Sequence, residues 1–320
     1  MKLTPNKIFE LFERKDIDKY SAYNYLISFI ENSENENIII DSLENLDKIG
    51  LYDDKLFIIL ERTIVSDSNS QIRNIAIKYL NIWFLNKAIR PLEWAIKHES
   101  DYYCLINIIK TLKKVNNQES KLILFKEVKR ITKLKYINKE KKIDNKRFKR
   151  VIKKLIKIKK FDLLSNKELA EIYINFLTIK ELTKRYPNAF YEVDCQNGLV
   201  KELDLSDFLE FEVKGTPWGW KNDIKSLSEI MGLTCLKNLK KIDLSNNHIK
   251  NIKELVGLKK LTHLILTNNR ISELENIEYI NKMPSIKFLD LRYNEIAKKV
   301  THNDFNKNIR VLLSDYLIIK

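Results

Sequence analysis

The chain has few of the residues that build disulfide frameworks, metal centres and flexible linkers. Its 320 residues include three cysteines, four histidines, six glycines and five prolines. The cysteines Cys104, Cys195 and Cys235 are far apart in sequence, which excludes a disulfide framework and a C-x-x-C metal site. Scarce glycine and proline argue against long flexible linkers. We therefore expect compact domains in a reducing, intracellular compartment, with no metal ion and no cofactor.

Long apolar runs are missing as well. Lys, Asn or Asp interrupts every apolar stretch, so we expect no membrane span. The opening residues, MKLTPNKIFE, lack the apolar core of a signal peptide, and the sequence therefore predicts a cytoplasmic protein. An apolar content of 44% beside 32% charged residues is typical of a folded protein. The length favours two domains.

Common catalytic motifs are also missing. The chain contains no G-x-x-x-x-G-K-[ST], H-E-x-x-H, G-x-S-x-G or G-x-G-x-x-G sequence. Cys104 falls on the apolar phase of a helix, where a thiol is expected to be inert. These observations predict a protein that is not an enzyme.

A motif of the form L-x-x-L-x-L-x-x-N-x-I is present three times near the end of the chain. The copies span 239–249, 261–271 and 286–296, and their asparagines are Asn247, Asn269 and Asn294. Alternating apolar positions predict a short strand with one buried face. We expect each asparagine amide to satisfy backbone groups where the chain leaves the strand. This pattern is the signature of leucine-rich repeats.

The interval of 22 residues between the first two copies resembles a compact subclass of leucine-rich repeats. That subclass occurs in phosphatase regulatory subunits and in a spliceosomal protein, and its members bind other proteins. The resemblance covers residues 199–297. It implies an α/β leucine-rich-repeat solenoid whose concave sheet binds a partner and carries no chemistry.

The turn signals around the motif predict the layout of a C-terminal domain at 187–320. An Asn197-Gly198 turn between two apolar runs predicts an N-terminal β-hairpin. A Trp-rich insertion at about 210–224 contains Trp218 and Trp220, which we expect either to clamp a ligand or to anchor the loop. An apolar tail at about 298–320 predicts a C-terminal cap.

Side chains that alternate with the buried leucines should form the partner-binding face. Ile265 and Phe288 are apolar at positions where exposure to solvent is expected. Apolar side chains with polar neighbours are typical of a binding hot spot. The alternative is that the C-terminal cap folds over Phe288. The predicted binding residues are Lys241, Asp243, His263, Ile265, Thr267, Phe288, Asp290 and Arg292.

The apolar pattern of residues 17–135 predicts seven amphipathic helices separated by short polar segments. Apolar and small residues repeat in phase at intervals of 34 and 32: Ile38/Ser42/Leu46, Ile72/Ala76/Leu80 and Cys104/Ile108/Leu112. The stretch D-x-x-x-x-I-R-x-x-A-x-x-x-L at 67–80 resembles the second helix of a HEAT repeat. It implies an α-solenoid of HEAT-like hairpins over a domain at 1–186, with an irregular helical bundle as the alternative. We also expect Ser68 and Gln71 to form a capping box and Trp83 and Trp94 to lie in the core.

The net charge of +15 is concentrated in one segment. Residues 113–160 hold 20 Lys and Arg but only four Asp and Glu. We predict a helical hairpin at about 119–160 that could bind nucleic acid, an acidic protein or an anionic membrane surface, or remain a solvated face without a ligand. The basic patch comprises Lys126, Lys129, Arg130, Lys133, Lys146, Arg147, Lys149, Arg150, Lys153, Lys154 and Lys157.

The combined signals favour a non-catalytic scaffold that binds another protein on the leucine-rich concave face, with the basic helical segment as a second contact surface. The first alternative is a nucleic-acid-binding protein that uses a basic groove of the helical repeats. A less favoured alternative is a glycosylase-like DNA repair enzyme, because some such enzymes resemble the helical front half.

Overall fold

The computed structural model describes residues 3–133, 146–186, 189–206 and 223–314. Helices dominate the N-terminal part and a six-stranded sheet organises the C-terminal part. The predicted Trp-rich insertion, with Trp218 and Trp220, lies outside the described residues. None of the helices in the described ranges combines the length and the apolar composition that a bilayer crossing requires.

The chain divides into two compact units. Unit 1 comprises Met1–Lys126 and Ser165–Ala170, and unit 2 comprises Glu127–Leu164 and Glu171–Lys320. The domain boundary expected at residue 186 stays a prediction.

The seven helices predicted between residues 17 and 135 are all present, and one further helix precedes them. The helices of the first two thirds of the chain are α1 Pro5–Glu13, α2 Lys19–Asn32, α3 Glu36–Ile49, α4 Asp54–Ser66, α5 Ser70–Trp83, α6 Ile89–His98, α7 Tyr102–Val115, α8 Gln118–Ile131, α9 Lys146–Lys159 and α10 Asn166–Arg185. Their limits follow local chemistry, since Gly50 and Asn116 end α3 and α7 in the left-handed conformation that these residue types tolerate.

Aspartate and asparagine side chains cap the start of most of these helices. Asp53 accepts the amide hydrogen of Leu56, and Asp101 accepts that of Cys104. The predicted capping box of Ser68 and Gln71 is wrong by one residue. Asn69 is the cap and accepts the Gln71 amide at 2.7 Å, while the Ser68 carbonyl accepts a hydrogen bond from Arg73 instead.

Helices α3, α5 and α7 pack side by side in unit 1 through residues at matching positions. Ser42, Ala76 and Ile108 occupy the matching middle positions and are fully buried, and the small side chains of Ser42 and Ala76 allow close approach of the helices. The Asn107 amide donates to the Asn74 side chain at 2.7 Å, and the Cys104 thiol contacts the Ser70 carbonyl oxygen at 3.2 Å. These contacts join residues 33 and 34 apart in sequence, which matches the spacing of the apolar phase.

The expectation that Trp83 and Trp94 lie in the core is wrong. Trp94 is 42% exposed and stacks on His98 with ring centroids 4.3 Å apart. Trp83 is half-buried, and its ring stacks between Tyr52 and Tyr79. Successive residues lie about 100° apart around a helix. The apolar residues next to Trp94 form the core face of α6, and Trp94 itself lies outside that face.

A partly buried ion pair joins α5 to the residue that follows α6. Arg73 donates two parallel hydrogen bonds to the Glu99 carboxylate, at 2.8 and 2.9 Å. Burial opposes ionisation of Glu99, but hydrogen bonds from Arg73 and from the amides of Asp101 and Ser100 outweigh it and hold the pKa of this carboxyl below its ordinary value. The pair borders a cavity of about 250 Å³ that Trp94 also lines.

Replacing Glu99 with glutamine should lower the free energy of unfolding by about 2 kcal/mol at pH 7, because the partly buried Arg73 loses its counter-charge. A carboxyl whose pKa is lowered by folding stabilises the protein above its unfolded pKa of about 4.3 and loses that effect as the pH falls through the folded value. Urea unfolding at pH 7, 5 and 3 should therefore show the difference between wild type and Glu99→Gln shrinking towards acid pH. A constant difference would contradict this account.

The sheet belongs to unit 2 and contains its strands in chain order. They are β1 Phe190–Val193, β2 Val200–Asp204, β3 Lys241–Asp243, β4 His263–Ile265, β5 Phe288–Asp290 and β6 Arg310–Leu312. The first pair is antiparallel and every later pair is parallel. Short helical turns and one further helix, α11 Glu275–Asn281, connect the parallel strands. The predicted C-terminal cap segment thus contributes β6, a strand that the sequence analysis did not identify.

The motif asparagines tie each coil of the chain to the coil before it. The Asn269 amide donates to the carbonyl oxygens of Leu244 at 2.8 Å and Leu266 at 3.0 Å, and its oxygen accepts the Ile249 amide at 3.0 Å. Asn247 and Asn294 make the equivalent three contacts with their own neighbours. All three side chains are at least 92% buried, so they satisfy backbone groups that water cannot reach.

A hairpin turn fixes α9 and α10 against the sheet within unit 2. Gly198 has a φ of +74°, and a Cβ at this position would lie 2.8 Å from Ile152 of α9 and 3.2 Å from Leu155. Asn175 of α10 accepts the amide hydrogen of Val200 at 2.9 Å. Glycine is therefore required here both by the backbone conformation and by the close approach of α9.

Replacing Asn269 with alanine should destabilise unit 2 by about 2 kcal/mol, because the buried Ile249 amide loses its hydrogen-bond acceptor, while the Leu244 and Leu266 carbonyl oxygens each keep a second donor, Asn247 and Asn294. Asn308, an exposed asparagine in the same unit, is the matched control, and Asn308→Ala should change the free energy of unfolding by less than about 0.5 kcal/mol. Chemical denaturation of the two variants makes the comparison. Equal stabilities would rule out the structural role assigned to the motif asparagine.

Candidate protein-binding face

The strand register aligns the residues that alternate with the buried ones into two rows across the sheet. Neighbouring strands place adjacent members of a row about 4.8 Å apart. Row one is Glu192, Glu202, Lys241, His263, Phe288 and Arg310, and row two is Phe190, Asp204, Asp243, Ile265, Asp290 and Leu312. We call these two rows the sheet face. The residues between the rows, such as Ile242 and Leu264, are fully buried.

Aspartates of row two stabilise the ends of their own strands. Asp243 accepts the Ser245 amide at 3.0 Å and its hydroxyl at 2.6 Å. Asp290 accepts the Arg292 amide and forms an ion pair with the Arg292 guanidinium at 2.8 Å. Since Asp290 is only 3% exposed, it orients Arg292 at the edge of the sheet face rather than reaching outward itself.

Strand β4 breaks this pattern, because Ile265 occupies the position of the aspartates. Beside it, the rings of His263 and Phe288 lie 5.8 Å apart at an angle of 30°. His263 is exposed, whereas Ile265 and Phe288 are half-buried. These three residues, which we call the apolar patch, thus lie on adjacent strands in the middle of the parallel part of the sheet. Thr267 follows Ile265 two residues later and is also half-buried.

Two cations of row one flank the apolar patch, Lys241 beside His263 and Arg310 beside Phe288. Lys240 and Lys287 directly precede β3 and β5. Lys240, Lys241, Lys287 and Arg310 are exposed and have no ion pair with any residue in the described part of the chain. We call them the cationic rim.

Unlike these cations, the glutamates of row one on β1 and β2 form ion pairs. Glu192 contacts Lys201 and Arg147, each at 2.8 Å, and Lys201 also contacts Glu202 at 3.4 Å. The hydrogen bond from Lys201, followed by that from Arg147, lowers the pKa of Glu192.

Tyr293, three residues after the end of β5, is an exposed aromatic residue that sequence reasoning missed. It adopts a left-handed φ of +58°, at the position where the other two motif copies have Asn246 and Asn268 with φ values of +57° and +54°. Asparagine tolerates this conformation, whereas a bulky aromatic residue rarely adopts it. Tyr293 is also 63% exposed. The signal available in the sequence was an aromatic residue directly before the motif asparagine Asn294.

The predicted basic patch is divided between the two units and is partly paired. Lys126 belongs to unit 1 and lies 3.9 Å from Glu93. In unit 2, Arg130 pairs with Glu127 at 2.8 Å and Arg147 pairs with Glu192. Lys149 is half-buried, and burial lowers its pKa. The other members are exposed: Lys129, Lys133, Lys146, Arg150, Lys153, Lys154 and Lys157.

A family model, Leucine Rich repeats (2 copies), matches residues 237–279. The match covers the motif copies that contain Asn247 and Asn269, and it confirms leucine-rich repeats in the C-terminal part of the chain. No curated protein matches the chain. The helical N-terminal part is consistent with a helical repeat.

Replacing Tyr293 with asparagine should raise the free energy of unfolding by about 1 kcal/mol, because it relieves the strain of an aromatic residue in the left-handed region. The reciprocal change in the neighbouring coil, Asn268→Tyr, should lower it. Thermal unfolding of both variants provides the measurement. Loss of stability in Tyr293→Asn would instead show that packing of the ring outweighs the strain.

Proposed function

We propose that the chain is an intracellular, non-catalytic scaffold that holds a protein partner on its sheet face. Leucine-rich repeats generally mediate protein–protein interaction, and the family match supports this class of function. The observation that carries the proposal is the apolar patch of His263, Ile265 and Phe288 on a face whose other exposed positions are mostly polar. Apolar and aromatic side chains surrounded by polar groups are typical of binding hot spots.

The cationic rim suggests the chemistry of the partner. A large apolar side chain with acidic neighbours fits a patch that Lys241 and Arg310 flank. Complementary charge accelerates association and excludes basic competitors. We therefore propose an acidic partner segment that inserts one apolar residue over Ile265 and Phe288.

We further propose that the helices of unit 1 form an α-solenoid of HEAT-like hairpins, as the sequence resemblance implies. The matched contacts of α3, α5 and α7 and the 33-residue spacing of Asn74 and Asn107 support this arrangement. Stacked repeats offer a broad surface for a second partner.

The contacts around the unit 1 cavity favour a structural role over catalysis. A general acid or base must be able to exchange protons with a substrate. Glu99 instead accepts hydrogen bonds from Arg73 and two backbone amides, and Arg73 also donates to the carbonyl of Asp67. These groups are committed to holding α5 and α6 together, which supports a non-catalytic function.

Replacing Phe288 with alanine should weaken partner binding by about 30-fold, the loss of roughly 2 kcal/mol expected at a hot spot. The partner is first identified through a photo-crosslinking benzoylphenylalanine at position 288 in cells, and its affinity is then measured by calorimetry. Leu274→Ala is the matched control, because Leu274 is an apolar residue outside the strands with 58% exposure. It should change the affinity by less than twofold.

Two results would contradict the proposed face. One is an unchanged affinity in Phe288→Ala when circular dichroism shows the fold intact. The other is equal crosslinking to the same partner from a probe at position 274.

A further inference from the structure

Helix α9 is amphipathic, and its apolar face is already occupied. Phe148 and Ile152 are fully buried and Leu155 is 4% exposed. Phe148 packs edge-on against Phe176 of α10, with ring centroids 5.7 Å apart, while Ile152 and Leu155 border the Gly198 turn. The apolar side of this helix is therefore unavailable for insertion into a lipid surface.

The opposite side of α9 carries a row of cations. Arg150, Lys153, Lys154 and Lys157 are exposed and follow the i, i+3, i+4, i+7 spacing of one helical face, about 10 Å long. We call them the outer stripe. The helix has no acidic residue, and no carboxylate in the described part of the chain pairs with these four side chains.

This arrangement costs stability in the isolated protein. Like charges three and four residues apart on a helix repel each other by a few tenths of a kcal/mol per pair. By contrast, Arg147 at the start of the same helix is compensated by Glu192 at 2.8 Å. The four cations of the outer stripe thus have no carboxylate partner among the described residues, whereas Arg147 on the same helix has one. This difference indicates that the outer stripe is suited to bind an external anion.

The stripe is also held in a fixed position. The contacts of α9 with α10 and with the Gly198 turn leave the helix little freedom to rotate, and Arg147 lies over the Phe190 ring of β1 at 5.7 Å. A rigid row of cations loses little conformational entropy of the helix when it binds a regular array of charges.

We propose that the outer stripe of α9 binds the phosphate backbone of a double-stranded nucleic acid. This inference is independent of the proposed protein-binding face and goes beyond it. A duplex presents about one negative charge per 1.7 Å of axis, so four cations along about 10 Å can each neutralise a phosphate. The stripe contains no aromatic residue on which unpaired bases could stack, which favours a duplex over a single strand.

Other anionic partners fit less well. A membrane-surface helix needs an exposed apolar face, whereas α9 exposes the single apolar residue Ile158, at 65%, near its C-terminal end. An acidic protein would be expected to meet an apolar or aromatic anchor among the cations, and the stripe itself contains none.

The test measures how the affinity for a 20-base-pair DNA duplex depends on salt, by fluorescence anisotropy of the full chain. The test variant combines Arg150→Gln, Lys153→Gln, Lys154→Gln and Lys157→Gln. Loss of four phosphate contacts should reduce the slope of log affinity against log salt by about 3.6, because each contact contributes about 0.9. An unchanged slope, or no binding of the duplex by wild type at 50 mM salt, overturns the proposal.

The control removes the same number of charges elsewhere in unit 2. Lys250, Lys253, Lys259 and Lys298 are exposed lysines of the leucine-rich part, and their replacement by glutamine should leave the slope within about 1 of the wild-type value. An equal loss in both variants would show an effect of net charge and would also overturn the proposal. So would binding to phosphatidylserine vesicles without binding to the duplex. Circular dichroism checks that the variants fold. If the quadruple variant does not fold, the double variant Lys154→Gln, Lys157→Gln replaces it. Its slope should be smaller than that of the wild type by about 2.

Discussion

The hydrogen bonds of three buried asparagines are the interaction on which the leucine-rich part depends. Each coil is too small to bury its leucines alone, so it needs its neighbours. Asn247, Asn269 and Asn294 supply the link, because each bonds to backbone groups of its own coil and of the coil before it. The strand register follows from this link, and the register decides which side chains stand next to each other on the sheet face.

The same unit carries two surfaces of different chemistry. On the sheet face, an isoleucine replaces a capping aspartate and creates an apolar patch with His263 and Phe288. On α9, the apolar side faces the hairpin turn and α10, so the cations point outward. One surface favours a shaped protein segment with an apolar residue, and the other favours a regular array of negative charge. Their physical requirements differ, so they would act as separate contacts.

Periodicity in the sequence predicts most of the elements, because a buried face repeats every 3.6 residues in a helix and every two in a strand. Periodicity predicts less well how deeply each side chain is buried. Trp94 follows the apolar pattern of α6 but is exposed, and Asp290 reads as a surface residue but is buried beneath its ion pair with Arg292. Tyr293 was missed because backbone strain at φ +58° leaves no periodic signal.

Native-state hydrogen exchange of the amides of Ile224, Ile249 and Ile271 is the most direct test of this account. Each amide donates to the side-chain oxygen of a motif asparagine, at 3.0 to 3.1 Å. If these bonds hold the coils in register, the three amides should exchange only through global unfolding of unit 2, with the same free energy as amides within the strands. Exchange at the rate of exposed turns would contradict a rigid, asparagine-linked recognition face.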